Sequence, residues 1–135
     1  MRDIHFLANA VADSIDIQAL ILFSHGSADP EWSWPFACLQ AHLAERLGGK
    51  PVVLAYLPPA SPTFGDVAAQ LAQMGIREIT VVPLFLARGG HVKKDLPELV
   101  AQAAAMHGLS FRILPVLGEV EILQNANNHR VIANL

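Results

Sequence analysis

The sequence predicts an α/β fold: a three-layer sandwich around a four-stranded parallel sheet of order 2-1-3-4. Two observations carry this. Four short apolar runs are separated by three amphipathic stripes, and each stripe closes on glycine. None of the apolar runs alternates cleanly with polar residues, the pattern of strands covered on both faces. Strands alternating with helices imply parallel pairing through right-handed crossovers, with helices on both sides of the sheet.

The strand candidates are 17–24 ("IQALILFS"), 52–57 ("VVLAYL"), 78–86 ("EITVVPLFL") and 111–116 ("FRILPV"), all rich in Val, Ile, Leu or aromatics. Between them, Phe36, Leu39, Leu43 and Leu47 recur at helical spacing before Gly48-Gly49. Phe64, Val67, Leu71 and Met74 do so before Gly75, and Leu96, Leu99, Ala103 and Met106 before Gly108. Apolar residues three and four apart mark one buried helix face, and a following glycine marks its stop. Asp29-Pro30 and Ser61-Pro62 read as an N-cap followed by a first-turn proline. Asp95-Leu96-Pro97-Glu98 has the form of a capping box. A last helix is expected from about 119 to 133.

A length of 135 residues suits one domain, expected over 16–135, with residues 1–15 as an N-terminal arm. The chain is 53% hydrophobic and 16% charged, enough to bury a core, which excludes a disordered chain. A net charge of -3 offers no global attraction to nucleic acid or to an anionic membrane, so neither is expected as a partner. Cys38 is the only cysteine, which excludes an internal disulfide and a cysteine-cluster metal site. The apolar runs fall far short of the roughly 20 residues that span a bilayer. No basic region with a long apolar stretch opens the chain, so no signal peptide is expected and the location is read as cytoplasmic.

In the flavodoxin-like order 2-1-3-4, the strand order reverses between strands 1 and 3, and ligands bind outside the carboxyl ends at such a reversal. Strand 1 exits into "SHGSADP" and strand 3 into "LARGGHVKKD". Two histidines far apart in the chain, His25 and His91, are thereby sent to one crevice. Neutral imidazole ligates Co, Ni, Fe and Zn, and its pKa of about 6.5 suits proton transfer near neutrality. Two imidazoles without thiolates make an open coordination sphere, from which a metal can be handed on.

Alternatives stand beside each residue. Either histidine can be a loop residue bonded to backbone. Gly89-Gly90 supplies turn geometry or close ligand approach. Ser27 caps the first helix or touches a ligand; its surroundings are not G-x-S-x-G, so a hydrolase elbow is unsupported. Arg88, Lys93 and Lys94 are solvated or attract substrate carboxylates. "LARGGH" is neither G-x-G-x-x-G nor a P-loop, which gives nucleotide binding little support. Trp32 and Trp34 pack the core or line a cleft or dimer contact. His42 reads as a surface residue and His107 as a cation at a helix C-terminus. His5 and His129 receive no role.

At these residues the chain resembles the CbiX-type sirohydrochlorin chelatases in their short single-domain form. The resemblance rests on "LFSHGSADP", on "AYLPPASPTFGDVAAQLAQMGIREITVVPLFLARGGHVKKDLPELV" and on "ILPVLG", from roughly 20 to 118. It implies a chelatase-like half-domain and a lyase that inserts a divalent metal, Co²⁺ first and Ni²⁺ or Fe²⁺ in relatives, into sirohydrochlorin or a related tetrapyrrole for cobalamin or sirohaem synthesis. The metal is then a substrate, and no organic cofactor is implied. His25 and His91 take the metal-binding and catalytic roles. Ser27, Arg88, Gly89, Gly90, Lys93 and Lys94 fall where the tetrapyrrole would bind. Short-form relatives imply a homodimer with facing crevices. The pattern departs at one place: many relatives carry an acidic residue after strand 2, and here Pro58 stands there, offering neither ligand nor base. That departure motivates an alternative, a paralogue that binds metal or tetrapyrrole without catalysing insertion.

Overall fold

The structure is a computed structural model that describes residues 18–26, 30–85, 90–116 and 132–133; of 30–34 and 90–93 it describes the backbone alone. In chain order the elements are β1 (Leu20–Ser24), α1 (Pro30–Arg46), β2 (Val52–Tyr56), α2 (Phe64–Gln73), β3 (Glu78–Pro83), α3 (Gly90–His107) and β4 (Ser110–Ile113). The four strands form one sheet of order β2-β1-β3-β4. Every pairing is parallel, with Leu20 opposite Val52 and Thr80, and Glu78 opposite Ser110. The expected order and parallel pairing are therefore those observed.

Side chains on a strand point alternately to its two faces, so each strand serves two cores. Ile21 and Phe23 of β1 join Ile79 and Val81 of β3 against Phe64, Val67 and Leu71 of α2 and Leu96 and Ala103 of α3. Leu20, Leu22, Val52 and Val82 face the opposite way, against Leu39 and Leu43 of α1. Full burial of a Leu, Ile, Val or Phe side chain contributes about 1.5–3 kcal/mol by removing apolar surface from water. β1 is buried at all five positions because it lies inside both cores.

Several element ends differ from the sequence expectation, each for a local reason. The third strand stops at Pro83 rather than at 86. Val81 accepts from Leu114 N on the β4 side, and Leu84 N donates to Phe23 O on the β1 side. By that alternation the missing N–H of Pro83 faces β4, so β4 loses its partner there while β1 keeps its own. β4 begins at Ser110 and ends at Ile113, short of 116. It is an edge strand with Ser110, Arg112 and Ile113 exposed, unlike the two-sided burial expected of it.

The second helix is not capped by Ser61. Thr63 is its N-cap: Thr63 Oγ1 accepts from Asp66 N and Thr63 N donates to Asp66 Oδ2, both at 3.2 Å. The third helix starts at Gly90, so Asp95 lies inside it and not at its N-cap position. Pro97 does not end the helix: it lies inside α3 and is exposed, and it removes one intrahelical bond there. Met74 and Met106 close their stripes in the sequence but are 59% and 76% exposed: Met74 is the C-cap just past the end of α2, and Met106 lies in the last turn of α3. His42, expected at the surface, is half-buried and engaged. The final helix lies outside the described residues save for 132–133, which are helical.

Candidate active site

The carboxyl edge of the sheet is held together beyond the strands themselves. Leu57 N donates to Ser24 O at 3.1 Å and Leu84 N to Phe23 O at 2.8 Å, so β1 is flanked on both sides up to its last residue. Ser24 is 2% exposed, and among the described residues its Oγ meets no hydrogen-bond partner. The next residue, His25, leaves the sheet and is exposed. Its imidazole stands edge-to-face on Phe85, with ring centroids 4.6 Å apart and planes at 86°. Phe85 follows β3, so the contact crosses from β1 to β3, the place where strand order reverses.

Gly26 turns the chain at φ +77°, a conformation that a side chain rarely tolerates. A Cβ placed there would stand 2.7 Å from Ala60 Cβ and 3.0 Å from Tyr56 Cδ1. The turn after His25 is thus pressed against the β2–α2 loop. That loop is folded on itself: Ala60 N donates to Leu57 O at 3.0 Å and Tyr56 N to Pro62 O at 2.9 Å. It exposes Pro58, Pro59, Ser61 and Pro62, an uncharged rim beside the histidine. Pro58 accordingly sits at this edge and is solvent-facing, as a residue after β2 should be.

His91 is the second residue of α3, and Gly90 the first. A helix that follows a parallel strand starts at the carboxyl edge, so its N-terminus and the exit of β1 share that edge. Lys93 belongs to the same helix, and Lys94 on it is exposed. Ser27, Arg88 and Gly89 lie outside the described residues. Among the described residues no three His, Cys, Asp or Glu side chains gather as a metal cluster. No described helix is long and apolar enough to cross a membrane. Sequence reasoning missed Phe85, Tyr56 and Ala60 as neighbours of the histidine turn. Only the alternation of Phe85 with Val81 and Pro83 in the third apolar run signalled its side of the sheet.

A family model, CbiX, matches residues 19–134 of the chain. The chain belongs to the CbiX family. It is 32% identical over 83 residues to the sirohydrochlorin cobaltochelatase of Methanopyrus kandleri, a stretch covering 61% of this chain and 57% of that one. Against the sirohydrochlorin cobaltochelatase of Methanocaldococcus jannaschii it is 31% identical over 84 residues, 62% of this chain and 59% of the other. The matched stretch thus spans under two thirds of these relatives. Among solved structures, a CbiX protein of Marinobacter aquaeolei, described as a putative cobalamin biosynthesis protein, superposes with a TM-score of 0.74 at 31% identity. The match covers 86% of this chain and 95% of that one. The cobalt complex of the sirohydrochlorin chelatase SirB from Bacillus subtilis subspecies spizizenii gives a TM-score of 0.67 at 26% identity, covering 87% of this CbiX chain and 51% of SirB.

Proposed function

We propose that this CbiX protein is a metal chelatase that inserts a divalent cation, Co²⁺ first, into sirohydrochlorin or a related tetrapyrrole. The observation that carries the reading is the placement of His25 at the exit of β1, on the sheet edge from which α3 and His91 also depart. Relatives named sirohydrochlorin cobaltochelatase support the substrate, and the cobalt-bound SirB supports the metal. Ni²⁺ and Fe²⁺ remain within reach of the same ligands, since imidazole affinity alone does not select cobalt.

In this reading the metal first binds His25 and His91. The ring then enters with its carboxylates toward Arg88, Lys93 and Lys94, over Gly89, Gly90 and Ser27. Holding metal and ring together removes the entropic cost of their encounter. As the metal enters, two pyrrole N–H protons leave, so M²⁺ and the free ring give the metallated ring and two H⁺. With a proline at position 58, the proton acceptors are an imidazole released from the metal, or water.

One copy of the chain matches about half of SirB. That supports a homodimer in which two open edges face one another across a two-fold axis and enclose the flat ring. The location is read as cytoplasmic, with no organic cofactor.

The test mixes purified protein with sirohydrochlorin and Co²⁺, Ni²⁺ or Fe²⁺ while the absorption spectrum is followed. Wild type is expected to exceed the spontaneous rate, and His25→Ala or His91→Ala to lose about 10²-fold, the usual worth of a positioned acid–base group. A wild-type rate equal to the spontaneous one, unchanged in His91→Ala, overturns the reading. The uncharged Pro58 rim favours a second reading, a binding paralogue. It predicts tight metal or ring binding in the same titration with no gain in rate.

A further inference from the structure

We propose that Phe85 is a positioning residue for His25: it fixes the plane of the imidazole and so the direction from which a metal can approach. The proposal rests on the reading of His25 as a metal-handling residue. An exposed histidine just past the last ladder hydrogen bond has several open rotamers. Here its ring is packed perpendicular to Phe85 at 4.6 Å, and Phe85 is only 5% exposed. Phe85 is itself held. It meets Phe23 at 5.8 Å, Phe23 meets Phe64 at 5.7 Å, and Phe64 meets Phe111 at 5.6 Å. A chain of rings thus runs from β4 through α2 and β1 to the site, and the ring under His25 belongs to the buried core.

The chemical consequence follows from the geometry of imidazole. The lone pair that takes a metal lies in the ring plane, so fixing the plane fixes the line of ligation. Metal-binding histidines are usually oriented by a hydrogen bond from the other nitrogen to a carboxylate or carbonyl, which also raises their basicity. For His25 the orienting contact with a described residue is aromatic. An apolar ring orients the ligand without strengthening its grip. That suits a metal that must be passed on to a tetrapyrrole rather than kept.

The experiment compares Phe85→Leu, which keeps apolar bulk and removes the ring, with Phe85→Tyr, which keeps the ring. Val67→Ala, in the same core cluster but off the chain of rings, controls for lost stability. His25→Ala is run alongside. Each protein is titrated with Co²⁺ alone, assayed for insertion, and examined by NMR for the His25 ring protons. Phe85→Leu is expected to lose about tenfold in Co²⁺ affinity and in kcat, the lower end for an orienting partner, with the KM for the ring unchanged. Its His25 protons should lose the ring-current displacement seen in wild type, and Phe85→Tyr should restore both. Wild-type kcat and Co²⁺ affinity in Phe85→Leu, with His25→Ala inactive, overturn the proposal. An active His25→Ala overturns instead the reading of His25. Where Phe85→Leu fails to fold, the wild-type spectrum decides: His25 protons at their random-coil positions overturn the contact, and displaced ones support it.

Discussion

Gly26 joins backbone geometry to the site. It combines a positive φ with a neighbour, Ala60, already at the distance where a Cβ would collide. Gly26→Ala should therefore lose stability by about 2 kcal/mol, the upper cost of a left-handed conformation for an L-residue, before any displacement of the β2–α2 loop. Urea denaturation measures this, and an unchanged midpoint would mean that the turn can re-form without the glycine. His25 itself was legible in the sequence, because an apolar run that ends in "LFSHG" exposes the residue after its last buried serine. Phe85 was not legible as its partner. The contact joins two loops that only the pairing of β1 with β3 brings together.

The elements show how local chemistry outranks a resembling pattern. Ser61-Pro62 and Thr63 both offer a cap, but only Thr63 is followed three residues on by a carboxylate that reaches back to its own N–H. Thr63→Ala should cost about 1 kcal/mol of stability, the common worth of an N-cap, whereas Ser61→Ala, exposed and outside the cap, should leave the melting temperature where it was. If Ser61→Ala proves the more damaging of the two, the cap is misplaced. The start of α3 was hidden for the opposite reason. Asp95 and Glu98 mimic a capping box in the middle of a helix that already runs from Gly90, and Pro97 mimics its first turn. Because that helix begins earlier, His91 lies within its first turn rather than in a loop before it. Helical spacing identified all three helices correctly, yet it could not show that Met74 and Met106 are exposed, since periodicity records a face and not what lies opposite it.

For the molecule as a whole, one sheet edge gathers the exit of β1, the start of α3 and the proline-rich β2–α2 loop. On the proposed function, two such edges face one another in a homodimer and enclose the ring. On that proposal, insertion activity per subunit should fall as the protein is diluted below its dimer dissociation constant, in step with the mass seen by light scattering. Activity per subunit that stays constant while the mass halves would show that a single copy suffices. The strand order and parallel pairing were readable from the alternation of apolar runs and amphipathic stripes, because each pattern is written within one segment and the connections between them leave few topologies. The two histidines could be assigned to one edge for the same reason. What surrounds His25 was decided by folding alone: the Phe85 ring, the Ala60 and Tyr56 contacts at Gly26, and the chain of aromatics beneath. Those contacts join segments distant in the chain, and they depend on register and on close packing between layers, which no single stretch of sequence encodes.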